Sequence, residues 1–173
     1  MGTIEIRTER LLLRKYQISD GESLYRNIGS DEELSKYTQW NPYRTYEMSR
    51  ETVERFIKQY EDQHFYGWLI EADGQMAGII GAYDYEPSDN SIEVGFTIER
   101  GSWGKGYASE ALKAVIRYLK EQEKIRRIHA WCASENMASA RVMQKAGMKQ
   151  TAIQKEGLKI GNHKYDKLIY EVY

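Results

Sequence analysis

The chain of 173 residues is short of several things, and each shortage removes a class of function. It has one cysteine, Cys132, which cannot close an internal disulfide, so a fold stapled in an oxidising compartment is not expected. Neither charge is in excess: 25 Lys and Arg stand against 26 Asp and Glu, a net charge of −1, with no basic stripe to gather nucleic acid. No apolar run approaches the length of a membrane span. Gly2 is not followed by Ser or Thr at position 6, which argues against myristoylation. The opening residues 1–7 alternate polar with apolar, as a strand does and a signal peptide does not. His64, His129 and His163 are scattered without metal-ligand spacing, so no metal is expected. Repeats, low-complexity tracts and linkers are also missing. One domain over residues 1–173 is expected, as a monomer or homodimer in a reducing cytoplasmic setting, with no membrane or nucleic-acid partner.

What is present reads as alternating elements. Ser19 and Glu22 have capping-box spacing ahead of Leu24, Tyr25 and Ile28, so a first helix should start there and end near Gly29. Thr45 can cap a second, in which Val53, Phe56, Ile57 and Tyr60 form one stripe. Between the helices lies an aromatic and polar loop carrying Tyr37, Trp40 and Tyr43, of the kind that lines ligand sites or packs on a surface. Residues 66–72 and 75–85 read as antiparallel strands joined by a turn at Asp73 and Gly74. The strand at 92–98 alternates, with Ile92, Val94, Phe96 and Ile98 on one face and Glu93, Gly95 and Thr97 on the other. Leu112, Val115, Ile116 and Leu119 mark an amphipathic helix to about Glu123, followed by a strand at 128–132. Asn136 opens a last helix that Gly147 closes, and 165–173 gives a terminal strand.

The glycines of Arg100-Gly101-Ser102-Trp103-Gly104-Lys105-Gly106-Tyr107-Ala108-Ser109 let the backbone approach a ligand and turn its amides inward just before a helix start. That combination suits a phosphate. Gly101 and Gly106 have P-loop spacing, but Tyr107 and Ala108 stand where Lys and Ser or Thr would follow. A dinucleotide fingerprint would run the glycines in the opposite order and would not follow an antiparallel meander.

The segment from Trp103 to Ala108 resembles the acyl-CoA loop of the GNAT superfamily of N-acetyltransferases, whose pattern is Gln or Arg, two residues, Gly, one residue, Gly or Ala. Trp103 replaces the first Gln or Arg, and Trp-Gly-Lys-Gly-Tyr-Ala followed by Glu110 and Ala111 is similar to a subgroup that acetylates protein N-termini, notably alanine on ribosomal proteins. Further similar stretches are Thr8-Glu9-Arg10-Leu11-Leu12-Leu13-Arg14, Ile92-Glu93-Val94-Gly95, Asn136 with Ser139, and Lys145-Ala146-Gly147-Met148. The resemblance implies an α/β (α+β) fold: a GNAT-like domain with a mixed, mostly antiparallel central sheet, flanked by helices, whose strands ending near Ile98 and Cys132 splay apart for the pantetheine arm. It implies acetyl-CoA as donor, held by backbone at Phe96, Thr97 and Ile98 and by Trp103, Gly104, Lys105, Gly106, Tyr107, Ala108, Ser109, Asn136 and Ser139.

Amide formation from a thioester needs an uncharged amine, support for the carbonyl oxygen and a proton for the departing thiolate. Glu93, on the polar face of its strand, is the candidate to take the amine's proton, directly or through water, its alternative being a plain strand carboxylate. Many GNAT members use a tyrosine as proton donor where this chain has Met143, whereas the subgroup carries a serine at the place of Ser139. Asn136 suits both a coenzyme contact and a helix cap. Glu156 resembles a subgroup carboxylate that receives the incoming amine, and Tyr37, Trp40, Tyr83 and Tyr85 could shape the acceptor pocket. Cys132 reads as a packed thiol, which favours direct transfer over an acetyl-enzyme. The expected activity is acetyl-CoA-dependent acetylation of a primary amine, foremost a protein or peptide N-terminus. A polyamine or antibiotic amine, and a coenzyme sensor without catalysis, stand as alternatives.

Overall fold

The computed structural model describes residues 1–38 and 43–173. Its strands are β1 (Ile6–Arg7), β2 (Leu11–Arg14), β3 (Tyr66–Ala72), β4 (Gln75–Glu86), β5 (Ser91–Ile98), β6 (Arg127–Ala133), β7 (Lys149–Ile160) and β8 (His163–Val172). They form one open sheet in the order β1-β2-β3-β4-β5-β6-β8-β7, antiparallel throughout except between β5 and β6. The helices are α1 (Asp20–Leu24), prolonged by a π-helical turn at Tyr25–Gly29, then α2 (Glu32–Ser35), α3 (Tyr46–Gln59), α4 (Tyr107–Glu121) and α5 (Met137–Lys145). Among the described residues no helix is long and apolar enough to cross a membrane.

The alternation of strand side chains builds two cores. On one face Trp68, Ile70, Ile80, Ile92 and Val94 meet Leu112, Val115 and Leu119 of α4. Burying each of those three α4 side chains contributes roughly 1.5–3 kcal/mol, far more than helix propensity supplies, so this face fixes α4 on the sheet. On the other face Leu69 and Met76 pack with Leu24, Ile28 and Val53, joined by Phe56 and Ile79.

Helix boundaries follow local chemistry, with one correction. Thr45 caps α3 by accepting the Met48 N–H at 3.3 Å. Ser19, by contrast, makes no side-chain cap, so the expected capping box does not form. Asp20 organises that turn instead: its carboxylate accepts the Gln17 N–H at 2.6 Å and two Arg14 donors at 2.8 and 2.9 Å. The strand β7 has no counterpart in the sequence reading. It is an edge strand exposed along most of its length, broken by two bulges, so no apolar face imposes alternation on its sequence.

The feature that creates a site is the short pairing of β5 with β6. They are in register only at Ser91 with Arg127, Ile92 with Ile128 and Glu93 with His129. Beyond Glu93, β5 stays with β4 to Ile98, while β6 stays with β8 to Ala133. The two strands therefore part, and backbone groups of β5 past this point have no strand partner on the β6 side.

Candidate active site

A cleft of about 600 Å³ opens where β5 and β6 part, and Glu93, Phe96, Thr97, Trp131, Asn136 and Ser139 are among the residues lining it. Glu93 sits at its vertex, the last residue of β5 paired with β6. One carboxylate oxygen accepts the Trp131 indole N–H at 2.9 Å, and His129 Nδ1 lies 3.7 Å from the other. Burial lowers the His129 pKa below its ordinary value more than Glu93 raises it, so this imidazole is neutral near pH 7. Tyr83 stands opposite Glu93 on β4, with its hydroxyl within the influence of the carboxylate. Burial, then the charge of Glu93, raises the Tyr83 pKa well above the ordinary phenol range, so the hydroxyl keeps its proton as a donor. Gly95 makes room for it, since a Cβ there would lie 2.5 Å from the Tyr83 oxygen. These neighbours orient the carboxylate toward the cleft.

Across the cleft, Asn136 caps α5 by accepting the Ser139 N–H at 3.2 Å, which leaves its amide NH₂ for another partner. Ser139 is half-buried, and among the described residues its hydroxyl has no protein partner. Met143, one turn further on, is fully buried in the core and has no proton to give. Cys132 lines the cleft but is 3% exposed, and burial pushes its thiol up to about 11, so it is not a thiolate near neutral pH.

The glycine turn lies beyond the open end of β5. Gly104 and Gly106 have φ of 77° and 81°, left-handed values that a side chain would strain, and Gly106 is the N-cap of α4 without any side-chain cap. The first intrahelical bond is Glu110 N–H to Gly106 C=O, so the amides of Tyr107, Ala108 and Ser109 have no helical acceptor and can receive a diphosphate. Trp103 is 53% exposed, and its indole N–H donates to the Ile98 carbonyl at 2.8 Å, tying the turn to the end of β5. Arg10 braces the other side: its NH1 donates to the Lys105 carbonyl at 2.8 Å and its Nε to Glu110 at 2.7 Å. Its guanidinium also lies 5.0 Å from the Tyr107 ring centroid. Burial opposes the Glu110 charge, but bonds from Thr8 and Arg10 outweigh it and hold that carboxylate below its usual pKa.

The expected acceptor residues fare differently. Tyr37 and Tyr83 line the cleft, whereas Trp40 lies outside the described residues. Tyr85 does not line it: a bulge with Asp84 at φ 55° turns Tyr85 to the α4 face, where it packs with the core and stacks on His64 at 4.3 Å. Glu156 is not in the lining either, because the second β7 bulge places it at φ 49° with its carboxylate 3.0 Å from Lys164 Nζ. Trp131, His129, Lys167 and Arg10 are contributors that sequence reasoning missed. The first three share one face of β6 and β8, a pattern visible in the alternation of 128–132, but the parallel register that brings it to Glu93 is not.

Known proteins match this chain over nearly all of its length. The family model for the acetyltransferase (GNAT) domain matches residues 10–149. The solved structure of a GNAT-family acetyltransferase from Bacillus anthracis superposes with a TM-score of 0.85 at 30% identity, covering 98% of each chain. A RimL ribosomal-protein α-N-acetyltransferase solved with coenzyme A has the same fold, with a TM-score of 0.90 at 22% identity over 98% of this chain and 97% of that one. An uncharacterized N-acetyltransferase of Bacillus subtilis, YnaD, is 28% identical over 171 residues, 98% of this chain and 96% of its own length.

Proposed function

The chain belongs to the GNAT acetyltransferase family and is an acyltransferase that uses acetyl-CoA, and on that premise we propose that its acceptor is the α-amine at a protein or peptide N-terminus. The observation that carries the reading is one cleft holding an oriented carboxylate, Glu93, and a hydroxyl, Ser139, that has no partner among the described residues. Its fold-level likeness to RimL supports the choice of acceptor.

Acetyl-CoA supplies the acetyl group as a thioester. Glu93 takes the proton that the α-ammonium loses, directly or through one water. An α-amine has a pKa of roughly 7.7 to 8.0 against about 10.4 for lysine, so a carboxylate is base enough. Backbone groups of β5 around Phe96 to Ile98 that face away from β4 hold the pantetheine and polarise the thioester carbonyl. The neutral amine attacks the thioester carbon to form the C–N bond; as the C–S bond breaks, Ser139 passes its proton to sulfur and is reprotonated, through water, by the second proton leaving the nitrogen, while Glu93 releases the first to solvent. The amides of 107–109, the Lys105 side chain and the Asn136 amide hold the coenzyme.

Peptides beginning with Ala or Ser, run beside spermidine and aminoglycosides with thiol release as readout, test this reading. Peptide-dependent release is expected, and release only with the polycations would assign a small-molecule acceptor instead. Arg10→Ala should raise KM for acetyl-CoA roughly three- to tenfold, the worth of one or two hydrogen bonds holding the turn, with kcat little changed. Initial rates at varied acetyl-CoA check this, and an unchanged KM removes Arg10 from the donor site.

A further inference from the structure

The acceptor end of the cleft carries a cation that the transfer chemistry does not use. Lys167 lies on β8, directly opposite Ala133 of β6, and so shares the face of Trp131 and Glu93. It lines the cleft and is half-buried. Among the described residues its side chain has no carboxylate partner, and Nζ lies 4.8 Å from the centroid of the Trp131 ring. Two nearby lysines do have such partners: Lys164 of β8 pairs with Glu156 and Lys155 of β7 with Asp166. Trp131 thus carries an ammonium over its ring and a carboxylate, Glu93, at its N–H edge. The two charges are separated by about one indole, a span of one to two extended residues at roughly 3.3 Å each.

This arrangement is the complement of an amine with an anion a short way along the same molecule. The amine faces Glu93, and the anion reaches Lys167. We propose that Lys167 is a specificity-determining residue that selects acidic peptide N-termini, those with Asp or Glu at the second or third position. The proposal rests on the α-amine reading of the same cleft. Asp84 also lines the cleft, so a polycation is not without attraction there, but beside Lys167 such an acceptor meets like charge in a partly shielded site. Lys167 touches neither the transferred group nor the sulfur in this scheme, so its effect belongs in acceptor KM and not in kcat.

The test compares Ser-initiated peptides of acidic, neutral and basic second and third residues on the wild type, Lys167→Met and Lys167→Arg, with β-alanine, taurine and spermidine as small acceptors. The wild type should favour the acidic peptide about five- to tenfold in kcat/KM, expressed in KM and shrinking with added salt. Lys167→Met should abolish the preference, Lys167→Arg should keep it, and KM for acetyl-CoA should not move in either. Equal use of acidic and basic peptides by the wild type overturns the role of Lys167 and leaves the α-amine reading standing. Acetylation of taurine or β-alanine but no peptide, lost in Lys167→Met, removes the α-amine reading and keeps the selection of an anion. Preference for spermidine over all others overturns both.

Discussion

Glu93→Gln should lower kcat for an N-terminal Ser or Ala peptide by about 10²- to 10³-fold near pH 7. The amide oxygen of Gln can still accept the Trp131 indole N–H, so the substitution removes basicity and leaves the vertex of the cleft in place. The sign of the pH dependence follows from the acceptor. Below the α-amine pKa of roughly 7.7 to 8.0 the neutral amine falls about tenfold per pH unit, and a base in the cleft offsets that loss. Above it the amine arrives already neutral. The deficit of Glu93→Gln should therefore be largest at pH 6 to 7 and shrink toward pH 9. A wild-type to variant ratio that stays constant across this range, with equal melting temperatures, would leave Glu93 a structural carboxylate.

Ser139→Ala should lower kcat by about ten- to 10²-fold while leaving both KM values within about twofold. The helix itself should survive, because the cap runs from the Ser139 backbone N–H to Asn136 and Ala is the better helix former. A proton donor matters in proportion to how poor the leaving group is. Acetyl thioesters of a more acidic thiol should then lose less from the substitution than acetyl-CoA does, a comparison that a packing role would not reproduce. Unchanged turnover with acetyl-CoA would end the role of Ser139.

What could be read from the sequence was local. The stripe of α3, the alternation of β5 and the caps at Thr45 and Asn136 each depend on residues a few positions apart, and each is found where periodicity puts it. The glycine turn was legible for the same reason, since left-handed backbone at Gly104 and Gly106 ahead of a helix is a short-range signature. The surroundings of Glu93 were not. Trp131 reaches it across 38 residues through a three-residue parallel register, and Arg10 reaches Lys105 across 95. No local pattern encodes those pairings. Tyr85 shows how a single residue defeats period-2 reasoning, because the bulge at Asp84 reverses every side chain after it. Glu156 moved out of the cleft lining by a similar cause, in a strand whose exposure left no apolar pattern to read.

Transfer to an α-amine is tested most directly by a peptide with Ser at its N-terminus and one internal Lys, incubated with acetyl-CoA and mapped by fragment mass spectrometry. A single acetyl group on the N-terminal nitrogen, formed by the wild type and strongly reduced in Glu93→Gln at pH 7, is the predicted result. An acetyl group on the lysine side chain, or thiol release without any modified peptide, would contradict it.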